Sequence, residues 1–225
     1  MRDKTILVLS WFTALLLAGN LAIMLLVLPD EVEQGPIFRI IFFHVPVAWT
    51  AFALFFAAMI SSILYLVRKN LKFDSFAAAA TEVGLAFGAA NLLTGMIWGR
   101  IIWGIWWTWD ARLTSMLVGW IIYAGYVMLR RAIEEPTERA RMSAVVSILA
   151  FADVPIIFFS IKWWRTQHPQ PVVYGSGIMS PAYRFMLFFN WLPLLLLGIV
   201  LLLIRMRQEQ TGREIDALRR EVHAF

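Results

Sequence analysis

Histidine is rare in this chain of 225 residues, and two of the three histidines lie in similar surroundings. His44 occurs in FHVPVAW and His168 in WWRTQHPQP, each beside a proline and close to aromatic residues. Neutral imidazole is a common metal ligand. The chain has no cysteine, and two histidines make a poor zinc site because three or four protein ligands are usual. The third histidine, His223, lies in a charged tail and receives little functional weight.

Tryptophan is concentrated in the stretch WGRIIWGIWWTWDARLTS, residues 98–115. The cluster could anchor the chain at a membrane interface, pack in a core, or form a platform for a large flat ligand. Trp98, like Trp163 and Trp164, lies at the end of an apolar run and favours the anchor interpretation. Asp110, which follows the cluster, is either the N-cap of the next helix or part of the site.

A haem site would use both features. The porphyrin supplies four iron ligands, so two imidazoles complete the coordination, while the flat ring needs an apolar lining and its propionates need cations. Arginine binds carboxylates in bidentate fashion. The candidate propionate partners are Arg112, Arg100, Arg165 and Arg184.

The elements that position these residues are membrane helices. Hydrophobic residues make up 60% of the chain, charged residues only 16%, and the mean hydropathy is +0.71. Six apolar runs approach or exceed the length needed to cross a hydrocarbon core of roughly 30 Å. The sequence therefore predicts an all-α polytopic membrane protein with spans at Thr5–Leu28, Val45–Val67, Phe76–Ile97, Leu113–Leu129, Met142–Trp163 and Phe185–Ile204.

Basic residues predict the orientation of the spans. Fourteen lie on one side: Arg2, Lys4, Arg68, Lys69, Lys72, Arg130, Arg131, Arg139, Arg141, Arg205, Arg207, Arg213, Arg219 and Arg220. The positive-inside rule makes both termini cytoplasmic, with external loops 29–44, 98–112 and 164–184 and a cytoplasmic tail 205–225. This rule explains the high pI without nucleic acid as a partner. We treat residues 1–225 as one six-helix domain and the internal segments as solvated connectors.

Two finer expectations concern the helices. If 98–112 were helical, Trp98, Ile102, Ile105 and Trp109 would share one face, and Arg100, Trp103, Trp107 and Asp110 the other. Acidic residues inside a span are costly and are default functional candidates. For Glu82 and Asp153 we favour the alternative that they join helices as polar contacts.

WGIWWTWD followed by ARLTS resembles the tryptophan-rich WWD signature of the haem-handling protein family. TGMIWGR, FHVPVAW, DVPIIFFSIKWWRTQHP and the six-helix length are similar to its haem exporter C (CcmC) group, over roughly residues 36–204. Ile101 departs from the proline that we expect in many relatives, which affects the local turn.

The resemblance implies that His44 and His168 are the axial ligands of a haem b carried as transient cargo. It implies that the platform, Trp103, Trp106, Trp107, Trp109 and Asp110, holds haem at the external face of a bacterial inner membrane and presents it to the haem chaperone CcmE. The implied complex partners are CcmA, CcmB and CcmD. Because no nucleophile with a base is evident, we expect a haem delivery protein and not an enzyme. An electron-carrying cytochrome b subunit and a small-molecule permease remain as alternatives.

Overall fold

The computed structural model describes residues 2–169 and 179–222, and the regular structure in this part of the chain is helical. Six helical segments within it are long and apolar enough to cross a membrane. The helices are α1 (Arg2–Leu26), α2 (Ile41–Arg68), α3 (Leu71–Ile102), α4 (Ala111–Ala132), α5 (Pro136–Phe151), α6 (Asp153–Trp163) and α7 (Pro181–Val222), with a short 3-10 helix, Pro36–Ile40, before α2. The six predicted spans are therefore confirmed, and α5 and α6 together form the fifth.

Several predicted boundaries move. Because α2 begins at Ile41, His44 lies in its first turn and not in the preceding loop. The fifth span is interrupted at Ala152, shortly before Pro155, which has no N–H to donate. Helix α7 continues to Val222, so much of the tail extends the last span as a helix.

The expectation that 98–112 forms one helix with two faces is wrong. Helix α3 ends at Ile102, and Gly104 has φ 77°, a left-handed conformation that glycine adopts without steric cost. The remaining tryptophans up to Trp109 therefore lie in an irregular connection. Helix α4 begins only at Ala111.

Small residues allow the spans to approach closely. Ala77, Ala78, Ala79 and Ala80 form a fully buried run in α3. At Gly84, a Cβ atom would come within 2.7 Å of the Phe55 ring of α2, so only glycine fits without a shift. The same Phe55 ring stacks on Tyr123 of α4 with centroids 3.7 Å apart. Close approach at small residues is the usual basis of helix packing in membranes.

The bundle has two chemically distinct ends. One end, here named the site end, holds the start of α2, α4 and α7 and the end of α3 and α6. Hydrogen bonds join the segments at this end. The Trp98 indole donates to Gln34 Oε1 at 2.9 Å, and the Tyr183 hydroxyl donates to the Pro29 carbonyl at 3.3 Å. The opposite end, the charged end, carries a network of ion pairs.

At the charged end, a buried ion pair joins α3 to α4. Arg130 Nη1 lies 2.5 Å from Asp74 Oδ1, and the two side chains are 9% and 3% exposed. Arg213 of α7 also pairs with Asp74. Arg205 donates to Glu82 at 2.5 and 2.8 Å, which confirms Glu82 as a polar contact between helices. Arg130 is thus part of the packed bundle and not of a solvated connector.

Candidate functional site

The His44 side chain is directed from the first turn of α2 against α3. Its Nδ1 atom lies 2.9 Å from Thr94 Oγ1, while the Thr94 hydroxyl donates to the Ala90 carbonyl at 2.8 Å. Because the Thr94 hydroxyl has carbonyl acceptors on its own helix, Ala90 and Asn91, we infer that Thr94 Oγ1 accepts from Nδ1–H. The tautomer that results leaves a lone pair on Nε2. Nε2 is the imidazole atom then able to bind a metal.

Two further residues of α3 hold His44. Asn91 Nδ2 donates to the His44 carbonyl at 3.0 Å and lies 3.3 Å from Nδ1 and 3.4 Å from Nε2 of the ring. A Cβ atom at Gly95 would lie 3.1 Å from His44 Cε1, so the absence of a side chain there lets the ring lie against the helix. Asn91, Thr94 and Gly95 share one face of α3 by their spacing.

His168 has the same tautomer by a different route. Its Nδ1 lies 2.9 Å from the Pro169 carbonyl, which can only accept, so Nδ1 carries the proton and Nε2 the lone pair. Its main-chain N–H donates to Thr166 Oγ1 at 3.0 Å. Burial and the charge of Arg112 lower the pKa of His168 below its ordinary 6.5, against smaller opposing effects of the Pro169 bond and Asp110. The imidazole is therefore neutral at physiological pH.

Asp110 connects α4 to the His168 segment. It is the N-cap of α4, as one of the two interpretations predicted, and its Oδ1 accepts from the Arg112 main-chain N–H at 2.9 Å. The same oxygen accepts from the Thr166 hydroxyl at 2.8 Å, and Oδ2 accepts from the Gln167 N–H at 2.8 Å. Burial acts to raise the pKa of Asp110, but these hydrogen bonds outweigh it and hold the pKa below 3.8. Both carboxylate oxygens are thus committed inside the chain.

Arg112 interacts electrostatically with both histidines. Charge on Arg112 acts on both imidazoles, and charge on His168 acts on His44, so the three side chains lie near one another at the site end. Arg112 Nη1 donates to the Ile157 carbonyl of α6 at 3.1 Å, and its guanidinium carbon lies 5.9 Å from the centre of the Phe158 ring. The structure therefore brings together His44, His168, Asp110 and Arg112.

The tryptophans of the connection between α3 and α4 fall into two groups. Trp106 and Trp109 are 55% and 78% exposed, whereas Trp103 and Trp107 are half-buried. Trp107 meets Trp109 edge to face with centroids 5.8 Å apart. The Trp107 indole N–H is buried and has no hydrogen-bond acceptor among the described residues. Such a donor indicates a place where an external acceptor would be stabilised.

The other predicted arginines are not part of this arrangement. Arg100 donates to the Gly104 carbonyl and so stabilises the turn in which α3 ends. Arg165 and Arg184 are exposed, and no contact among the described residues joins either one to the histidines. Part of the predicted external loop 164–184 lies outside the described residues. The same holds for His223.

Sequence reasoning missed Asn91, Thr94 and Thr166, which fix the imidazoles. Asn91 and Thr94 could have been found, because two polar residues one turn apart inside an apolar span usually have a specific partner. Thr166 carries no such signal. It lies in a polar loop where hydroxyl side chains are common.

The family model for "Heme exporter protein C" (CcmC) matches residues 1–221. The heme exporter protein C of Bradyrhizobium diazoefficiens is 37% identical over 197 residues, covering 88% of this chain and 73% of its own. That of Escherichia coli strain K12 is 34% identical over 179 residues, covering 80% and 73%. A putative cytochrome c biosynthesis ccmC-like mitochondrial protein of Marchantia polymorpha is 36% identical, covering 75% and 71%. The chain belongs to the heme exporter protein C family of multi-pass membrane proteins.

Proposed function

We propose that this protein binds haem at the site end and presents it to a partner during cytochrome c maturation. The observation that carries the proposal is the matched state of His44 and His168. In each imidazole, Nδ1 lies 2.9 Å from an oxygen of the chain, and a proton on Nδ1 leaves the Nε2 lone pair for a metal, from which the Asn91 amide must withdraw at His44. A hydrogen bond at Nδ1 fixes the tautomer and the ring orientation of a metal-binding histidine.

The charges around the histidines suit an anionic porphyrin. Arg112 supplies a cation beside both imidazoles, and the buried Trp107 N–H is a donor without a protein acceptor. We assign one haem propionate to Arg112, assisted by Trp107. Arg100, Arg165 and Arg184 remain secondary candidates, because they act only if the connection or the loop rearranges. The haem b is cargo, which the chain orients and releases without chemistry of its own, so we propose a delivery protein and not an enzyme.

The exposed tryptophans suit contact with the receiving partner. Trp106 and Trp109 present large apolar surfaces at the site end, whereas Asp110 is turned inward. We propose that these two rings contact the haem chaperone CcmE and that Trp103, Trp107 and Asp110 support the site behind them. CcmA, CcmB and CcmD are the proposed partners within the membrane complex.

We also propose that residues 1–225 form one domain of a bacterial inner membrane, with both termini cytoplasmic and the site end external. The excess of basic residues at the charged end supports this orientation. Reporter fusions after Arg68 and Arg131 should then read as cytoplasmic, and fusions at Pro36 and Gly104 as external. The opposite pattern would contradict an external site.

The alternative functions have less support. An electron-carrying cytochrome b subunit would place its ligands within opposing helices, whereas His44 lies in the first turn of α2 and His168 beyond the end of α6. A permease would be expected to have broken helices near the midplane. The break at Ala152 next to Asp153 is a feature of this kind, but Asp153 Oδ2 lies against Gly119 of α4, so this carboxylate is packed between two helices.

The test is haem transfer. The purified protein is loaded with haem and mixed with CcmE, and covalent haem on CcmE is measured beside the absorption spectrum of the donor. We expect the wild type to lose haem to CcmE, and Trp106→Ala with Trp109→Ala to keep the spectrum while transfer falls. A protein that retains haem and exchanges electrons with a quinol would support the cytochrome b alternative.

A further inference from the structure

Two prolines inside spanning helices each leave a backbone carbonyl without its helical donor. Pro46 of α2 cannot donate to the Phe42 carbonyl four residues earlier, and Pro193 of α7 cannot donate to the Phe189 carbonyl. Both prolines and Phe42 are buried. An unsatisfied carbonyl is costly in a membrane interior, where no water replaces the missing donor.

Two buried asparagines supply the missing donors. Asn190 Nδ2 donates to the Phe42 carbonyl, and Asn20 Nδ2 donates to the Phe189 carbonyl at 3.0 Å. Asn20 Nδ2 also lies 3.3 Å from Asn190 Oδ1, so the two amides form one chain of hydrogen bonds across α1, α7 and α2. The side chains are only 2% and 1% exposed. Because a carbonyl can only accept, the orientation of both amide groups is determined.

The turn of α2 that lacks the helical hydrogen bond to the Phe42 carbonyl contains His44. It runs from Phe42 to Pro46, and His44 lies at its centre. The turn is held on one side by Asn190 of α7 and on the other by Asn91 of α3, which donates to the His44 carbonyl at 3.0 Å. The direction of the Cα–Cβ bond of His44 follows from the tilt of this turn, so any rotation of the turn moves Nε2.

We propose that Asn190, supported by Asn20, is a positioning residue for His44. By donating to the carbonyl that Pro46 leaves free, Asn190 holds the first turn of α2 in the orientation that places the His44 ring against α3. The proposal rests on the proposed function for its statement about haem. The contact between Asn190 and the Phe42 carbonyl is present in the haem-free chain and does not depend on the proposed function.

A purely structural role for Asn190 makes a different prediction. If the amide only stabilises the bundle, its loss lowers the unfolding temperature and leaves haem coordination unchanged in the molecules that remain folded. A positioning role adds a change of the haem spectrum in folded protein. Replacing Pro46 by alanine distinguishes the structural role from the positioning role further. The alanine supplies an N–H that can donate to the Phe42 carbonyl in place of Asn190.

The experiment uses the full chain in detergent, loaded with haem, as Asn190→Leu, Pro46→Ala and the double variant. We expect Asn190→Leu to lower the fraction of six-coordinate haem roughly three- to tenfold, the range expected from the net contribution of one hydrogen bond. The double variant should recover at least half of that loss. The matched control is Ser61→Ala, which removes another bond to a carbonyl from the same helix, Ser61 Oγ to Phe73 O at 2.8 Å, far from His44.

The unfolding temperature of the haem-free variants is measured in parallel. Equal spectra for Asn190→Leu and Ser61→Ala would overturn the inference, as would a double variant no better than Asn190→Leu. If Asn190→Leu does not fold, the double variant must fold and bind haem. A wild-type spectrum in His44→Ala would instead contradict the proposed function, and recovery of the haem-free unfolding temperature in the double variant would then support the carbonyl contact alone.

Discussion

The carboxylate of Asp110 accepts a hydrogen bond from the hydroxyl of Thr166 at 2.8 Å, 56 residues further along the chain. Thr166 Oγ1 in turn accepts the main-chain N–H of His168 at 3.0 Å. The start of α4 and the segment after α6 are thereby joined by a short chain of side-chain contacts that ends at an imidazole. The acidic residue of the tryptophan-rich signature thus acts on the position of a candidate iron ligand.

Replacement of Thr166 tests this relay. Thr166→Val removes the hydroxyl that both donates to Asp110 and accepts from His168, so we expect haem occupancy to fall by roughly three- to tenfold, as for the net contribution of one hydrogen bond. Thr166→Ser keeps the hydroxyl and should remain close to wild type. The measurement is the absorption spectrum of protein titrated with haem. Equal occupancy in both variants would show that the relay has no influence on His168.

The titration of His168 tests the electrostatics of the site. Burial and Arg112 lower its pKa below 6.5, so as pH falls below 6.5 the unfolded chain takes up a proton that the folded chain resists. The contribution of His168 to stability is therefore complete above 6.5 and is lost as the pH falls from 6.5 toward the folded pKa. Arg112→Gln removes a cation and should raise the pKa of His168. NMR of the labelled imidazole in haem-free protein measures both values, and a wild-type pKa at or above 6.5 would contradict the account.

The charged end should control stability more than haem binding. Arg130→Ala leaves the carboxylate of Asp74, 3% exposed, with Arg213 as its remaining partner, and we expect a loss of about 1.5–3 kcal/mol in unfolding free energy. Arg219→Ala is the matched control, because Arg219 is exposed and lies 3.9 Å from Asp216; it should change stability by less than about 0.5 kcal/mol. Denaturant unfolding in detergent compares them. If Arg130→Ala and Arg219→Ala lowered the unfolding free energy equally, the buried ion pairs would contribute no more to stability than an exposed one.

The Asp153 carboxylate occupies the space that a side chain at position 119 would need. A Cβ atom at Gly119 would collide with Asp153 Oδ2, so Gly119→Ala should cost about 1–3 kcal/mol, and adding Asp153→Ala should return much of it. Gly125 of the same helix has nothing within 4 Å of the corresponding position, so Gly125→Ala should be neutral or stabilising by up to about 1 kcal/mol. The unfolding temperature distinguishes these cases. A Gly119→Ala variant as stable as Gly125→Ala would exclude this contact.

The spans could be predicted from the sequence because apolar length is a direct requirement of the bilayer, and it identified all six. The N-cap Asp110 was one of two predicted roles, since an acidic residue before an apolar run commonly caps a helix. The face assignment for 98–112 depended on that stretch being helical, and glycine weakens a helix, as Gly104 does just after the end of α3. Contacts such as Asp110 with Thr166 depend on how distant helices pack. No local pattern encodes that packing.

The roles of the arginines were also hard to predict, because they depend on contacts between distant helices. Charge and side of the membrane gave four candidates with Arg112 first, and among the described residues the charge of Arg112 acts on both imidazoles. Arg130 was misjudged for a related reason. Its position near the end of a span indicated a solvated connector, whereas its partner Asp74 lies on α3 and buries it.

We propose that Nε2 of His44 and Nε2 of His168 bind the iron of the cargo haem. The most direct measurement is the absorption and electron paramagnetic resonance spectrum of haem bound to His44→Ala, His168→Ala and the control His223→Ala. We predict that each of the first two loses the six-coordinate signature and regains it when free imidazole is added, while the control matches wild type. An unchanged signature in His44→Ala or His168→Ala would contradict the claim.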